Sequence, residues 1–501
     1  MDHEQRVEFG DFQTPVELAL AVCRTIKKLG IFPRIVVEPT CGLGSFVEGA
    51  LGEFGGLSHL RAYDINKDHV QATRNVIHKL ETESSFVIER RDFFSTDWDS
   101  EFRLLDSDVL VLGNPPWVTS AALSTIGSEN LPPKRNFQNR TGLDAKTGKA
   151  NFDVSEWMLI RLIESLAKTS SGYLAMLCKF AVARKVLHHC WTLGLPIKHA
   201  EIRLIDAKKH FGVSVAACLF YVHIKPGFGI PKPICPVYKD LETSESTQVI
   251  GKKNGELVAD IRIYDQFRDL EGRSPLRWRS GMKHDAARIM ELSKTDSGVV
   301  NGFGDVVDIE PTYMYPLLKS SDVANSRKMV TRFVIVPQRN VSDDTREIAD
   351  IAPRTWSYLQ SHAASLDGRG SAVYRNRPRF AVFGVGEYTF TPWKVAVSGL
   401  YKNLQFLAVG PVRDRPVILD DTCYLVPCQS EKHAILLEGM LNDKTAQAFL
   451  RALVFPDAKR LVNADILNRI ALNRLAERLG VSNQFGEMIN KSDLPDSRFS
   501  V

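Results

Sequence analysis

From about residue 14 to residue 224, short β-branched runs alternate with amphipathic segments. That alternation leaves few folding solutions: strands stacked into a mostly parallel sheet, with helices over its faces. Ile35-Val36-Val37, Leu60-Arg61-Ala62-Tyr63, Phe86-Val87-Ile88 and Val109-Leu110-Val111-Leu112 are each short enough for a buried strand. Ahead of them a helix is predicted over residues 15–29, with Thr14 as N-cap, Pro15 in the first turn and Gly30 past its end. In doubly wound sheets ligands bind outside the carboxyl ends of the strands, so the loops after these four runs are where function is expected.

Residues 225–255 break the alternation with Gly227, Gly229, Pro231, Pro233 and Pro236 and then a Ser/Thr/Glu stretch. Such turn chemistry predicts a domain boundary, giving domains over 1–230 and 250–501. At 501 residues, 44% hydrophobic and 25% charged, the chain can bury two ordinary cores and has neither a disordered nor a membrane composition. No apolar run approaches the roughly 20 residues of a membrane span, and the N-terminus is polar, so a cytoplasmic protein is expected. Eight cysteines without a Cys-x-x-Cys pair predict reduced thiols and no structural metal. The net charge of +5 does not by itself mark a nucleic-acid binder.

After the first run comes Glu38-Pro39-Thr40-Cys41-Gly42-Leu43-Gly44-Ser45-Phe46. Gly42 and Gly44 permit a tight turn and close approach to a ligand, and the Lys-Ser/Thr of a phosphate-binding loop is missing. Asp64 ends the second run, where a carboxylate can accept from two ribose hydroxyls, and Ile65 follows it. At the third, Asp92 and Phe93 offer an acid and a ring for an adenine. Together these predict a nucleoside-containing cofactor; taken singly, each is also a plain turn or a solvated strand-end acid.

The fourth run ends in Gly113-Asn114-Pro115-Pro116-Trp117. Two prolines stiffen the backbone after Asn114. An adenine amino group is a poor nucleophile because its lone pair is delocalised into the ring. The Asn114 side-chain oxygen and the Pro115 carbonyl can accept its two hydrogens and localise that pair, while Trp117 offers a stacking face for an extruded base. A rigid turn with a core tryptophan is the other reading.

Here the chain resembles the amino-group DNA methyltransferases, in the gamma arrangement that runs from cofactor motifs through the catalytic motif to a target-recognition domain. The resemblance implies a Rossmann-like α/β catalytic domain, a C-terminal mixed α+β target-recognition domain, S-adenosylmethionine as cofactor and N6 of adenine in double-stranded DNA as target. It gives Thr14 and Pro15, within Phe12-Gln13-Thr14-Pro15, the methionine end of the cofactor. It makes Glu38, Thr40, Gly42, Gly44, Ile65 and Asn114 cofactor contacts, gives Asp64 the ribose, and gives Asp92 and Phe93 the cofactor adenine. Asn114, Pro115, Pro116 and Trp117 match the catalytic motif, with Trp where Tyr or Phe is commoner. Lys208-Lys209-His210-Phe211-Gly212-Val213 resembles the motif whose ring packs on the flipped base, which points to Phe211; a core phenylalanine is the alternative.

Four later segments, 278–285, 315–322, 376–379 and 457–460, resemble stretches of adenine methyltransferases from restriction–modification systems, which implies a separate cognate endonuclease. Residues 369–402 carry Arg369, Arg375, Arg377, Arg379, Lys394 and Lys402 against one acid, Glu387, among seven aromatics. This reads as a DNA-facing surface, or as a hairpin with one buried and one solvated face. Residues 118–152, with Lys134, Arg135, Arg140, Lys146 and Lys149, are long for a loop and are expected to order over DNA. Two other functions share the Asn-Pro-Pro-aromatic motif or the fold: a methyltransferase of RNA or protein glutamine, and a recognition subunit without turnover.

Overall fold

The computed structural model describes residues 13–80, 84–105, 108–119, 153–169, 171–229, 232–296, 298–327 and 329–490. They form two compact units, 1–262 and 263–501.

In the first unit, α1 (Val16–Lys28) precedes β1 (Ile35–Glu38), α2 (Ser45–Glu53), β2 (His59–Asp64), α3 (Lys67–His78), β3 (Ser85–Arg90), α4 (Trp98–Arg103) and β4 (Val109–Gly113). Then come α5 (Val154–Thr169), β5 (Gly172–Lys179), α6 (Phe180–Leu193), β6 (Ile197–Ile205), α7 (Ala207–Phe211), β7 (Ala217–Ile224), β8 (Ile234–Tyr238), β9 (Gln248–Lys253) and β10 (Glu256–Val258). The ten strands make one sheet in the order β10-β9-β8-β6-β7-β5-β4-β1-β2-β3. β1 pairs in parallel with both β2 and β4, β2 with β3, and β4 with β5, whereas β7 runs antiparallel between β5 and β6. All four expected strands are present. The chain runs outward from β1 to β3, then returns to β4 on the other side of β1, so the loops after β1 and β4 flank the topological switch point.

β1 and β4 are buried at every position, as expected of strands covered on both faces. Leu18, Val22 and Ile26 on α1 pack with Phe46 and Val47 on α2 and with Val36, Leu110 and Leu112 beneath them.

Two expectations are corrected. The helix begins at Val16, Pro15 is its N-cap residue, and no side chain caps it; the Thr14 hydroxyl is engaged elsewhere. Gly30, at φ +79°, follows the end of the helix as anticipated. The supposed linker over 225–255 instead supplies β8 and β9, which with β10 just after it extend the sheet, and the first unit runs to Arg262. Pro233 precedes β8, and Pro236 lies inside it. β8 has partners on both sides, but its pairing with β6 is registered only at Val237 and Tyr238, so Pro236 interrupts little of the ladder.

The second unit mixes strands and helices around two cores. One sheet has five strands, drawn from 291–295, 298–300, 314–318, 332–335 and 418–419; the other has four, from 279–280, 393–398, 406–409 and 423–428. All eight cysteines of the chain are buried and unpaired. Among the described residues no helix is long and apolar enough to cross a membrane, and no cluster of His, Cys, Asp or Glu could hold a metal ion.

Candidate active site

The loop after β1 is shaped by two left-handed glycines. Gly42 has φ +51°, and a Cβ there would lie 2.7 Å from the Gln13 side-chain oxygen. Gly44 has φ +88°, and its missing Cβ leaves room for Thr73 of α3 at 3.1 Å. The turn is held from outside: Gln13 Oε1 accepts from the Leu43 amide at 3.0 Å, Ser45 Oγ donates to the Thr14 carbonyl at 2.6 Å, and Thr73 Oγ1 donates to the Gly42 carbonyl at 3.0 Å.

Across the strand ends, the Gly42 amide donates to Asp64 Oδ2 at 2.9 Å and the Asn66 amide to Oδ1 at 2.8 Å. His69 Nδ1 lies 3.4 Å from the same oxygen. Asp64 is thus oriented at the carboxyl end of β2 against the glycine loop, and Ile65, half-buried, follows it. Glu38, at the end of β1, is 2% exposed. Burial, reinforced by the charge of Asp64, pushes its carboxyl well above the ordinary carboxylate range. Its Oε2 has no hydrogen-bond partner among the described residues. A buried carboxylate oxygen of this kind calls for a cationic or N–H donor.

At the third strand end, Asp92 Oδ1 accepts from the Phe94 amide at 3.0 Å. Phe93 is 6% exposed and packs on Trp98, with ring centroids 4.9 Å apart, and on Trp157. It lies in the wall behind the strand end, and Phe94 beside it is the more exposed ring.

After β4, Asn114 Nδ2 donates to Thr14 Oγ1 at 3.2 Å, and the Thr40 hydroxyl lies 3.5 Å from the Asn114 carbonyl. Thr14 and Thr40, expected as cofactor contacts, therefore tie the segments before α1 and after β1 to the Asn-Pro-Pro segment. Pro115 is buried and Pro116 half-buried. Trp117 is 5% exposed, its Nε1 donates to the Leu177 carbonyl at 3.3 Å, and its ring meets half-buried Phe211 edge-on. Three residues that sequence reasoning missed complete the surroundings. Lys179 donates to the Trp117 carbonyl and to Asp153, and neither belongs to a recognisable motif. Gln13 stood inside a motif, yet its contact with the glycine loop had no separate signal.

In the second unit the basic stretch separates into different kinds of residue. Lys394 is 1% exposed, with its ammonium donating to the Thr389 and Val417 carbonyls at 2.8 and 2.7 Å. It is a core lysine and presents no charge to DNA, which corrects the sequence expectation; burial lowers its pKa to about 7. Arg369 lies over the Tyr374 ring and donates to three carbonyls. Arg379 is exposed but paired with Asp367 at 2.8 Å, and Glu387 pairs with Arg339. Arg375 and Arg377 are exposed on either side of Asn376, whose φ is +61°. Lys134 and Arg135, with Arg140, Lys146 and Lys149, lie outside the described residues, as does Phe12.

Three of the four later segments converge. His284 and Lys319 both reach Glu291 Oε1, at 3.3 and 2.7 Å. Burial opposes the Glu291 charge, but these bonds hold its pKa down at about 2. Both side chains line a cleft of about 600 Å³ that also includes Asp421, to which Arg460 is paired.

A switch point bounded by a glycine loop, an oriented strand-end acid and a stiffened amide defines a group-transfer enzyme of the α/β class. The chain is 43% identical over 474 residues to the type II methyltransferase M.NspV of Nostoc sp., a match covering 94% of this chain and 98% of that protein. It belongs to the type II methyltransferases. Its fold is similar to that of the type IIL restriction–modification enzyme MmeI, solved in complex with DNA, with a TM-score of 0.58 and 13% identity over 93% of this chain and 69% of that one. No protein-family model matches the chain.

Proposed function

We propose that this methyltransferase transfers a methyl group from S-adenosylmethionine to N6 of an adenine flipped out of double-stranded DNA, as the modification enzyme of a restriction–modification system with a separate endonuclease. The observation that carries the reading is the Asn114 amide, held by Thr14 beside the glycine loop and followed by two prolines.

The residues at the switch point fit the cofactor. A buried carboxylate oxygen without a partner at Glu38, and an acid already oriented at Asp64, suit a ligand that bears an ammonium at one end and a ribose at the other. Thr40 and Gly42 would line its path, and Asp92 would meet the adenine. Bound S-adenosylmethionine supplies an electrophilic methyl on a sulfonium.

The protein's part is to prepare the nucleophile. With Nδ2 donating to Thr14, Asn114 Oδ1 is turned away from Thr14 as an acceptor for one amino hydrogen; the Pro115 carbonyl accepts the other. Both bonds favour a pyramidal nitrogen whose lone pair is taken out of conjugation with the ring, and they strengthen as positive charge develops on nitrogen, so they favour the transition state over the ground state. Phe211 provides the stacking face. The order of cofactor loop, Asn-Pro-Pro-Trp and second unit along the chain supports the gamma arrangement, and exposed Arg375 and Arg377 support a DNA contact in the second unit. Membership of the type II methyltransferases supports the substrate class.

The test is to incubate the purified protein with methyl-labelled S-adenosylmethionine and, in parallel, unmethylated genomic DNA, RNA and cell protein, then digest each product. N6-methyladenine from DNA is the expected result. Label in RNA or protein instead would overturn the substrate, and no label anywhere would overturn the catalytic reading.

A further inference from the structure

Lys179 is the last residue of β5. Its ammonium donates to the Trp117 carbonyl at 2.8 Å and to Asp153 Oδ2 at 2.6 Å. The Asp153 side chain is 8% exposed and that of Lys179 25%. The other Asp153 oxygen accepts from the amide and hydroxyl of Ser155 in the first turn of α5. Alongside, Thr119 and Asp153 form an antiparallel bridge, and the Val154 amide donates to the Val118 carbonyl at 2.8 Å. One ammonium thus joins three places in the chain: the end of β5, the residue that closes Asn-Pro-Pro-Trp, and the residue before α5.

Two prolines leave residues 114–117 little internal freedom, so they move as a stiff unit. The unit is tied at one end by Asn114 to Thr14 and at the other by the Trp117 carbonyl to Lys179 and the Trp117 indole to Leu177. The Lys179 bond acts on the main chain itself, so losing it loosens the backbone at that end while the indole stays anchored. Bonds from an ammonium to a carbonyl and a carboxylate are charge-assisted and stronger than neutral ones. Withdrawing either charge leaves its partner poorly solvated.

We propose that Lys179 is a positioning residue for methyl transfer: through the Trp117 carbonyl it sets the direction in which Asn114 and Pro115 present their acceptor oxygens, and Asp153 holds the ammonium in place. The proposal rests on the role assigned to Asn114. A displacement of about 1 Å in such a group costs on the order of 100-fold in rate.

The test uses the full chain with Lys179→Met and Lys179→Arg. Lys179→Met is expected to lower kcat about 10- to 100-fold at saturating DNA and cofactor, with cofactor Kd within about twofold of wild type, and Lys179→Arg to recover most of the loss. Amide hydrogen exchange over 113–119 and 153–156, measured without substrate, is expected to rise at least about tenfold in Lys179→Met while β1 to β3 keep their protection. Wild-type exchange in these segments, or wild-type kcat, overturns the proposal. Should Lys179→Met fail to fold, Asp153→Asn removes the opposite charge at constant shape and is read the same way. Because exchange needs no methyl acceptor, a wrong substrate assignment shows itself in the labelling experiment and not here.

Discussion

The ring of Trp117 meets that of Phe211 edge to face, with centroids 5.1 Å apart and planes at 67°. No purine fits between rings at that spacing, so a flipped adenine stacks on one of them, and Phe211 is the more exposed. Phe211→Ala is therefore expected to weaken capture of the target by about 1–3 kcal/mol, roughly 5- to 150-fold, as followed by 2-aminopurine fluorescence at the target position. Trp117→Phe, which keeps a buried ring, is expected to stay within about threefold. The reverse pattern would assign the stacking to Trp117.

Asn114→Ala removes the acceptor without disturbing the Asp64 and Gly42 pair. Single-turnover transfer is expected to fall by about 10²- to 10³-fold or more, while cofactor affinity stays near wild type. A parallel loss of cofactor binding would mean that the Thr14 bond, and not the nucleophile, is what the amide serves.

Glu38 resists ionisation in the folded chain, because burial and Asp64 both favour its protonated form. A carboxyl whose folded pKa is raised above its unfolded value binds more protons in the native state, so its contribution to stability is present at low pH and declines as pH rises above the ordinary carboxylate range. Glu38→Gln is expected to raise the melting temperature of the cofactor-free protein at pH 8 and to flatten that decline. It should also weaken S-adenosylmethionine binding at least about tenfold by calorimetry. A variant that is both less stable and equally tight would contradict the assignment.

Arg375→Ala with Arg377→Ala is expected to lower DNA affinity and to reduce the slope of log K against log salt by up to about 0.9 for each phosphate no longer neutralised. Arg379→Ala, which removes a pair with Asp367, should change that slope less. Equal slopes for the wild type and the double variant would move the DNA surface elsewhere.

Lys394 makes a different prediction because its pKa is depressed to about 7. Between that value and the ordinary lysine value of about 10.4 the unfolded chain holds a proton that the folded chain has released, so stability rises with pH across this window. Denaturant titrations of Lys394→Met should show a flatter pH profile there, with DNA affinity unchanged in the folded protein.

The strand ends were legible because β1 and β4 are buried at every position and β2 at most of its positions, and each of the four expected strands contains a short apolar run. The loops then fall where polar residues interrupt it, at Glu38, Asp64, Asp92 and Asn114. Local signals failed where a tertiary partner outbid them. Thr14 has the chemistry of an N-cap, yet its hydroxyl meets Asn114. Lys394 looks like a surface cation, but two carbonyls deep in the fold satisfy it. The prolines over 231–236 suggested a linker, although one precedes β8 and another sits within it at little cost to the pairing with β6. The Asp153 and Lys179 pair joins two positions with no sequence pattern between them, and only the parallel pairing of β4 and β5 brings Lys179 beside the residue after Asn-Pro-Pro.

The buried cysteines have a practical consequence. Burial pushes up thiols such as Cys23, Cys178, Cys235 and Cys423, leaving almost no thiolate in the native state. Alkylating reagents and peroxide should pass the folded enzyme by, and each modification would record an opening event. Six of these thiols, from Cys23 to Cys235, lie in the first unit and two, Cys423 and Cys428, in the second. The order in which they become labelled would therefore tell which half of the molecule gives way first.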